Sequence, residues 1–417
     1  MILSKCKCYH PKILEKIIHD YMNKNNFKNA SIIGKGGFSI VLSIQYKERI
    51  LASKLMILEI INDKDLNFIE KSEKIKTLML KSISFKHENI IKNIAFFENK
   101  TVLSITEKLI NKNPTEIKKV IKEYNVKSII MEKAIFNFAV FINYFRNNLF
   151  KNNFLKIKLI WLNGVNEILI IDFIQQILNG LYYLKKCKFV HRDLKPENIV
   201  ICKNFTLKLI DFIELGLYLN EEEKNENKNV KLIDSTETIM GPEYFKTEKS
   251  IDLNDAEKLD VFSLGVIIYY CLTGEYFYDD RYKKNNNKTV ELNEECIEKG
   301  IKKIKNNESN SKLNNFVIKC LNKRIKERPT INDCIMDINK IKIDDKSIKY
   351  NNYNEDVKFL IESQKYNYIK KKRRMKKFKI QKNYEIIKEK SISHIITKER
   401  QVNYFKEEFN EIMISAN

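Results

Sequence analysis

The stretch FVHRDLKPENIV, residues 189–200, sets a polar core between two apolar, strand-like pieces. From one tight loop Asp193 and Lys195 can face a common point, and Asn198 can offer its amide oxygen to a metal. Further along, LKLIDFIELG (207–216) ends an apolar run on Asp211. A carboxylate beside a buried strand is costly unless something compensates it, so Asp211 calls for a compensating partner. Near the other end, IIGKGGFSIVLSI places Gly34, Gly36 and Gly37 in a turn between two strands. There, backbone amides can approach phosphate oxygens with no side chain in the way. Lys54 follows at the end of the strand ILASK. By themselves, a glycine hairpin and a strand-end lysine are also what an ordinary hairpin and a solvated charge look like.

The elements that must position these groups can be read from periodicity. Ser31–Lys54 carries two or three strands, and a charged helix covers about 67–83. Strands follow at about 90–98 and 124–132, separated by a lysine-rich insertion at 99–123, and a second polar insertion covers 146–165. Ile170, Phe173, Ile174, Ile177, Leu181 and Leu184 recur at helical spacing and give one broad apolar face just before the polar loop. Residues 258–340 read as mostly helical. A short helical pattern at Ile13, Leu14, Ile17 and Ile18 lies in an otherwise polar start.

On these residues the chain resembles a eukaryotic protein kinase over about 27–340, and HRDLKPEN is the most specific of the matching strings. The resemblance implies an α+β, two-lobed fold. A β-rich small lobe runs to about Glu132 and a helical large lobe to about 340; residues 1–26 are an N-terminal extension and 341–417 a basic tail. It implies that Gly34, Gly36, Gly37 and Val41 cover the phosphates of ATP, and that Lys54 grips the α- and β-phosphates beside Ala52. Glu132 and Ala134 would bind adenine through their backbone, and Val200 joins the nucleotide-binding set. Asp193 takes the role of catalytic base, Lys195 stands near the transferred phosphate, and Asn198 and Asp211 would ligate Mg²⁺. Lys195 is the form typical of serine/threonine kinases. STETIMGPEYF resembles the end of an activation segment, in which Thr236 packs on the catalytic pair. Gly241-Pro242-Glu243 stands for the Ala-Pro-Glu motif, with Arg328 expected on Glu243, and Asp260 props the catalytic loop. Arg192 implies activation by a phosphate on Ser235 or Thr238, added by another kinase or by the chain itself.

The chain departs from the family in several places. Ile213 replaces the glycine of Asp-Phe-Gly; a β-branched residue there disfavours the peptide rotations that exchange Asp211 and Phe212. Ser39 replaces the third glycine of the phosphate loop. For the helix glutamate that pairs with Lys54 the chain offers Glu73 or Glu70, and Glu73 takes the assignment. The rival to an active enzyme is a pseudokinase scaffold that assembles partners through the fold and the tail.

Composition bounds the rest. The 417 residues are 43% hydrophobic, enough for a sizeable core, and the net charge of +22 favours acidic or phosphorylated partners. The basic run KKKRRMKKFKIQK (370–382) reads as a solvated tail, or as a site for an acidic partner, an anionic membrane surface, nucleic acid or nuclear import. The first residues carry no apolar stretch of signal-peptide length. Polar residues interrupt 155–184, the most apolar region, so no membrane span is expected. Cys6, Cys8 and His10 lack a second ligand pair, and the eight scattered cysteines read as reduced thiols. The expected location is cytoplasmic, with the nucleus open to the tail.

Overall fold

The computed structural model describes residues 11–36, 39–60, 66–108, 117–142, 165–202, 206–212, 217–218, 229–232, 239–245, 250–273, 277–278, 289–306 and 311–341. All belong to the unit Met1–Ile341; the second unit, Lys342–Asn417, which holds the basic run, lies outside the described residues. Five antiparallel strands form the first layer: β1 (Lys28–Lys35), β2 (Ser39–Tyr46), β3 (Arg49–Ile60), β4 (Asn93–Lys108) and β5 (Ile117–Glu132), in the order β1-β2-β3-β5-β4. Successive side chains of a strand point to opposite faces, and this sheet buries both. Ile40, Leu42, Ile44, Leu55 and Ile57 go to one core with Leu14, Ile17, Tyr21 and Met22 of helix α1 (Pro11–Lys24). The other face carries Val41, Ala52 and Lys54, which the register places together through Val41↔Lys54 and Ser43↔Ala52. It meets helix α2 (Leu66–Ile83).

One expectation is corrected here and another is extended. Residues 99–123 do not interrupt the strands: they lengthen both, paired from Asn99↔Val126 out to Lys108↔Ile117, and 109–116 lie outside the described residues. Their apolar side chains do not advertise a strand, because Val102 and Ile121 are exposed and the lysines alternate with them. Residues 11–24 are also more than a polar lead-in. Helix α1 lies on the sheet, and Asp20 accepts from Thr101 at 2.7 Å while Asn25 donates to Asn99 at 2.8 Å. The helix and the long hairpin therefore support each other. The second expected insertion, 146–165, falls almost wholly outside the described residues.

A short link leads from β5 to β6 (Phe136–Asn137) and into the helical lobe. Helix α3 (Val165–Lys186) buries the expected stripe from Ile170 to Leu184. Beyond it come β7 (Phe189–Val190), β8 (Ile199–Ile201) and β9 (Leu207–Leu209), the last two pairing with β6 in the order β6-β8-β9. Helix α4 (Glu257–Thr273) is buried on all sides from Leu259 to Tyr270, as its nearly continuous apolar sequence requires. Helices α5 (Thr289–Lys305), α6 (Ser311–Cys320) and α7 (Ile331–Asn339) complete the lobe. The last of them starts on a capping box between Thr330 and Asp333.

One glycine of α3 matters to the site. A Cβ at Gly180 would stand 2.9 Å from the Asn89 carbonyl oxygen and 3.0 Å from Leu209. That carbonyl also accepts from Leu209 N at 2.9 Å, just ahead of Asp211. Gly180→Ala gains helix propensity of about 1 kcal/mol but forces backbone apart where β9 is anchored, at a cost of about 1–3 kcal/mol. Urea unfolding should show a net loss of stability, and a more stable Gly180→Ala protein would contradict the close contact.

Candidate active site

The loop between β7 and β8 is held by a buried acid. Asp260, 2% exposed on α4, accepts from His191 N at 2.8 Å and from Arg192 N at 2.7 Å. Burial pushes its carboxyl up from the usual carboxylate range, while the charges and N–H groups of His191 and Arg192 hold it down. These two bonds fix a backbone that is otherwise costly, since Arg192 has φ 66°. The Arg192 side chain turns inward, 5% exposed, and bonds Tyr244, whose phenol burial pushes up to about 12. Asp260 thus props the loop in the way its resemblance implied.

Within that loop the expected groups converge. Lys195 Nζ lies 2.6 Å from Asp193 Oδ2. Asn198 Nδ2 donates to Asp193 O at 2.8 Å and to Asp193 Oδ2 at 2.9 Å. With its nitrogen committed to Asp193, it is the amide oxygen of Asn198 that could hold a metal. Asn198 O accepts from Ile210 N at 3.0 Å, which ties the loop to the residue before Asp211. Asp211 Oδ1 stands 2.8 Å from Lys54 Nζ. Lys54 is therefore the compensating charge that the end of the apolar strand required. Asp211 has φ 65°, a strained value for a non-glycine residue that sends its carboxylate toward Lys54 while Phe212 turns inward. Phe212 is 1% exposed, stacked on Phe85 at 5.7 Å and edge-on to Phe189 and His191. Ile213, which follows, lies outside the described residues, as do Gly37, Ser235, Thr236 and Thr238.

The residues expected to face a nucleotide sit around the link between the lobes. Gly34 pairs with Val41, and the turn closes through Gly36 N to Ser39 O at 2.8 Å. Ala52 pairs with Met131 and Leu51 with Glu132. The Glu132 carboxylate is occupied, bonded to Lys208 at 2.7 Å and to Lys92 N at 2.8 Å. Its role toward a base would therefore fall to its backbone, as for Ala134. Ile135 N donates to Ile201 O at 3.0 Å, and Val200 pairs with Asn137 just beyond the link. Behind Lys54, the residues Met79, Ile91, Asn93, Met131 and Phe212 line a small cavity of about 20 Å³.

Glu73 is not brought to this site. The buried stripe of α2 is Ser72, Ile75, Met79 and Ser82, at the three- and four-residue spacing of a helix face. Glu73 falls off that stripe: its side chain is 58% exposed, 3.8 Å from Lys76 and 4.0 Å from Lys127. Glu70 is on the same helix, with its side chain outside the described residues.

Sequence reasoning missed three contributors. Lys127 is fully buried on β5, donating to Ser72 O at 2.8 Å and pairing with Glu98 at 3.3 Å, which fastens α2 to the sheet. Asn89 Nδ2 donates to Leu207 O at 2.9 Å, and Gln176 Oε1 accepts from Leu207 N at 2.7 Å, so the strand before Asp211 is gripped from two sides. Asn89 lies between α2 and β4 and Gln176 on α3, and only their contacts reveal the task.

The lower part of the lobe holds Glu243 against Arg328 through paired bonds of 2.8 and 2.7 Å, with the two side chains 6% and 0% exposed. A Cβ at Gly241 would meet the Glu243 carboxylate. This explains why glycine stands where the family's motif has alanine.

Comparison with known protein families matches residues 27–338 to the protein kinase domain. The chain belongs to the protein kinase family. Among its relatives, an Aurora kinase of Saccharomyces cerevisiae is 36% identical over 137 residues, 32% of this chain and 34% of that kinase. Myosin light chain kinase 2 of Oryctolagus cuniculus is 35% identical over 117 residues, 28% of this chain and 18% of the relative. The striated muscle preferentially expressed protein kinase of Danio rerio is 30% identical over 166 residues, 40% of this chain and 5% of the relative. The matched stretches thus span about a third or less of these kinases. The α+β architecture of this kinase domain, a five-stranded sheet followed by a helical lobe, agrees with the fold expected from the sequence. Among the described residues no helix is long and apolar enough to cross a membrane.

Proposed function

We propose that this kinase transfers the γ-phosphate of ATP to serine and threonine hydroxyls of protein substrates with Mg²⁺ as cofactor. The observation that carries the reading is one connected set: Lys195 and Asn198 on Asp193, Asn198 on Ile210, and Asp211 on Lys54. Such a set can bind, orient and neutralise, which is most of what phosphoryl transfer asks of a protein.

Asn198 and Asp211 offer hard oxygen donors of the kind Mg²⁺ selects, and Asp211 meets Lys54 through Oδ1, which leaves Oδ2 for a cation. Asn198 and Asp211 would hold the ion, which would supply positive charge to offset that of the phosphates. Lys54, 5% exposed, holds the α- and β-phosphates from the sheet side, and Gly34, Gly36 and Gly37 cover them. Glu132 and Ala134 receive adenine through their backbone, between Ala52 and Val41 on one side and Val200 on the other. Asp193 Oδ2 orients the substrate hydroxyl and takes its proton, and the Lys195 ammonium steadies the negative charge that develops beside it. The serine/threonine preference rests on Lys195 and on the kinship with the kinases above. An activating phosphate at Ser235 or Thr238 belongs to the same proposal.

The test uses the full chain with γ-labelled ATP and a mixture of serine-, threonine- and tyrosine-containing peptides. Label on phosphoserine and phosphothreonine, lost on chelation of Mg²⁺, is expected. Label on phosphotyrosine alone, or transfer untouched by chelation, would overturn the reading.

A further inference from the structure

We propose that Tyr21 is a positioning residue for Lys54, acting through two serines on the far face of the sheet; this rests on the assignment of Lys54 to the nucleotide's phosphates. Helix α1 precedes residue 27, where the kinase match begins. Its Tyr21 is fully buried, with Oη 2.9 Å from Ser53 Oγ and 2.7 Å from Ser128 Oγ, and both serines are fully buried as well.

The placement of these serines is specific. Ser53 is the neighbour of Lys54 on β3, and Ser128 is the neighbour of Ile129, the residue paired with Lys54 across β3 and β5. Neighbours along a strand point to opposite faces, so Tyr21 grips both strands from behind, one residue from the pair that carries the lysine. A phenol can both donate and accept, so one hydroxyl can serve both serines. Around this hydroxyl α1 packs on the sheet through apolar side chains such as Leu14, Ile17 and Met22, and its other polar contacts with the sheet, Asp20 on Thr101 among them, lie out on the long hairpin. Adhesion alone did not need three buried hydroxyls, which cost free energy unless they satisfy one another. Their yield is register: a one-residue slip between β3 and β5 would turn Lys54 to the wrong face. The helix is itself fixed laterally by Asp20 on Thr101 and Asn25 on Asn99.

The experiment compares full-length wild type with Tyr21→Phe, Leu14→Ala and Lys54→Ala. It reads the Kd of a fluorescent ATP analogue, KM for ATP, KM for a peptide substrate, and Tm. Lys54→Ala checks the underlying assignment: if it leaves nucleotide binding unchanged, that assignment falls and the positioning role with it. With Lys54 verified, Tyr21→Phe should raise KM for ATP and the analogue's Kd by about fivefold, the worth of a typical hydrogen bond, and leave the peptide KM alone. Leu14→Ala thins the same helix contact, so it should lower Tm without moving either nucleotide constant. An ATP shift in Tyr21→Phe no larger than in Leu14→Ala would reduce Tyr21 to a packing residue and overturn the proposal. Should Tyr21→Phe fold poorly, Ser128→Ala carries the same test and should show the same selective rise in KM for ATP. Adding Tyr21→Phe to Ser53→Ala/Ser128→Ala should change nothing further, because the three act as one network; additive effects would contradict it.

Discussion

Asp193→Asn is expected to slow phosphoryl transfer by about 10²–10⁴-fold, the usual worth of a positioned base. Asparagine keeps the shape of the side chain and an oxygen for Lys195 and Asn198, which hold Asp193 at 2.6 and 2.9 Å. The fold of the loop should survive, because its main support is Asp260 on the backbone of His191 and Arg192. ATP affinity should stay within a few-fold of wild type, because the groups proposed to bind the nucleotide and its metal, Lys54 and Asp211, lie on other elements. The check is kcat beside a nucleotide Kd measured on the same preparation. A normal kcat would remove Asp193 from the chemistry, and a lost Kd would make it a binding group.

The second large effect concerns stability. Glu243→Gln should destabilise the chain by about 3–5 kcal/mol, the cost of stranding one member of a buried ion pair. Arg328 has no exposed side-chain surface, and its other bonds, to Asn322 O at 2.7 Å and Lys258 O at 3.3 Å, do not neutralise it. Its guanidinium also lies 4.5 Å from the centre of the Phe262 ring, so Arg328→Lys would lose the fork and the stacking together. Against a typical total of about 5–15 kcal/mol, the Glu243→Gln loss should be plain in urea or thermal unfolding. A change below about 1 kcal/mol would mean that water reaches the pair, as at a surface salt bridge.

Much of the site was legible because its chemistry is local. Asp193, Lys195 and Asn198 lie within one loop, so their convergence follows from the string itself. Asp211 announced its need for a partner by ending an apolar run; the resemblance named Mg²⁺, and the structure sets Lys54 2.8 Å away. Glu73 was not legible for the opposite reason. Several charged residues share α2, and which one faces Lys54 depends on the helix's rotation against the sheet, set by Ile75, Met79 and the buried Lys127. The lengthened β4–β5 hairpin was hidden because Val102 and Ile121 face solvent and its lysines read as loop. Helix α1 could be seen from the spacing of Ile13, Leu14, Ile17 and Ile18. Its docking could not, because the serines that meet Tyr21 stand 32 and 107 residues away in the chain. Gly241-Pro242-Glu243 was matched to the Ala-Pro-Glu motif from the string alone, and the crowding of position 241 by the Glu243 carboxylate shows only in three dimensions.

A single-turnover reaction of the wild-type chain, preloaded with γ-labelled ATP and Mg²⁺ and mixed with a basic protein substrate, tests the central proposal most directly. Label is expected on the substrate's serines and threonines, with Asp193→Asn, equally loaded with nucleotide, transferring none in the same time. A wild-type chain that binds ATP and transfers no more label than Asp193→Asn would contradict the proposal and leave a kinase fold that serves as a scaffold.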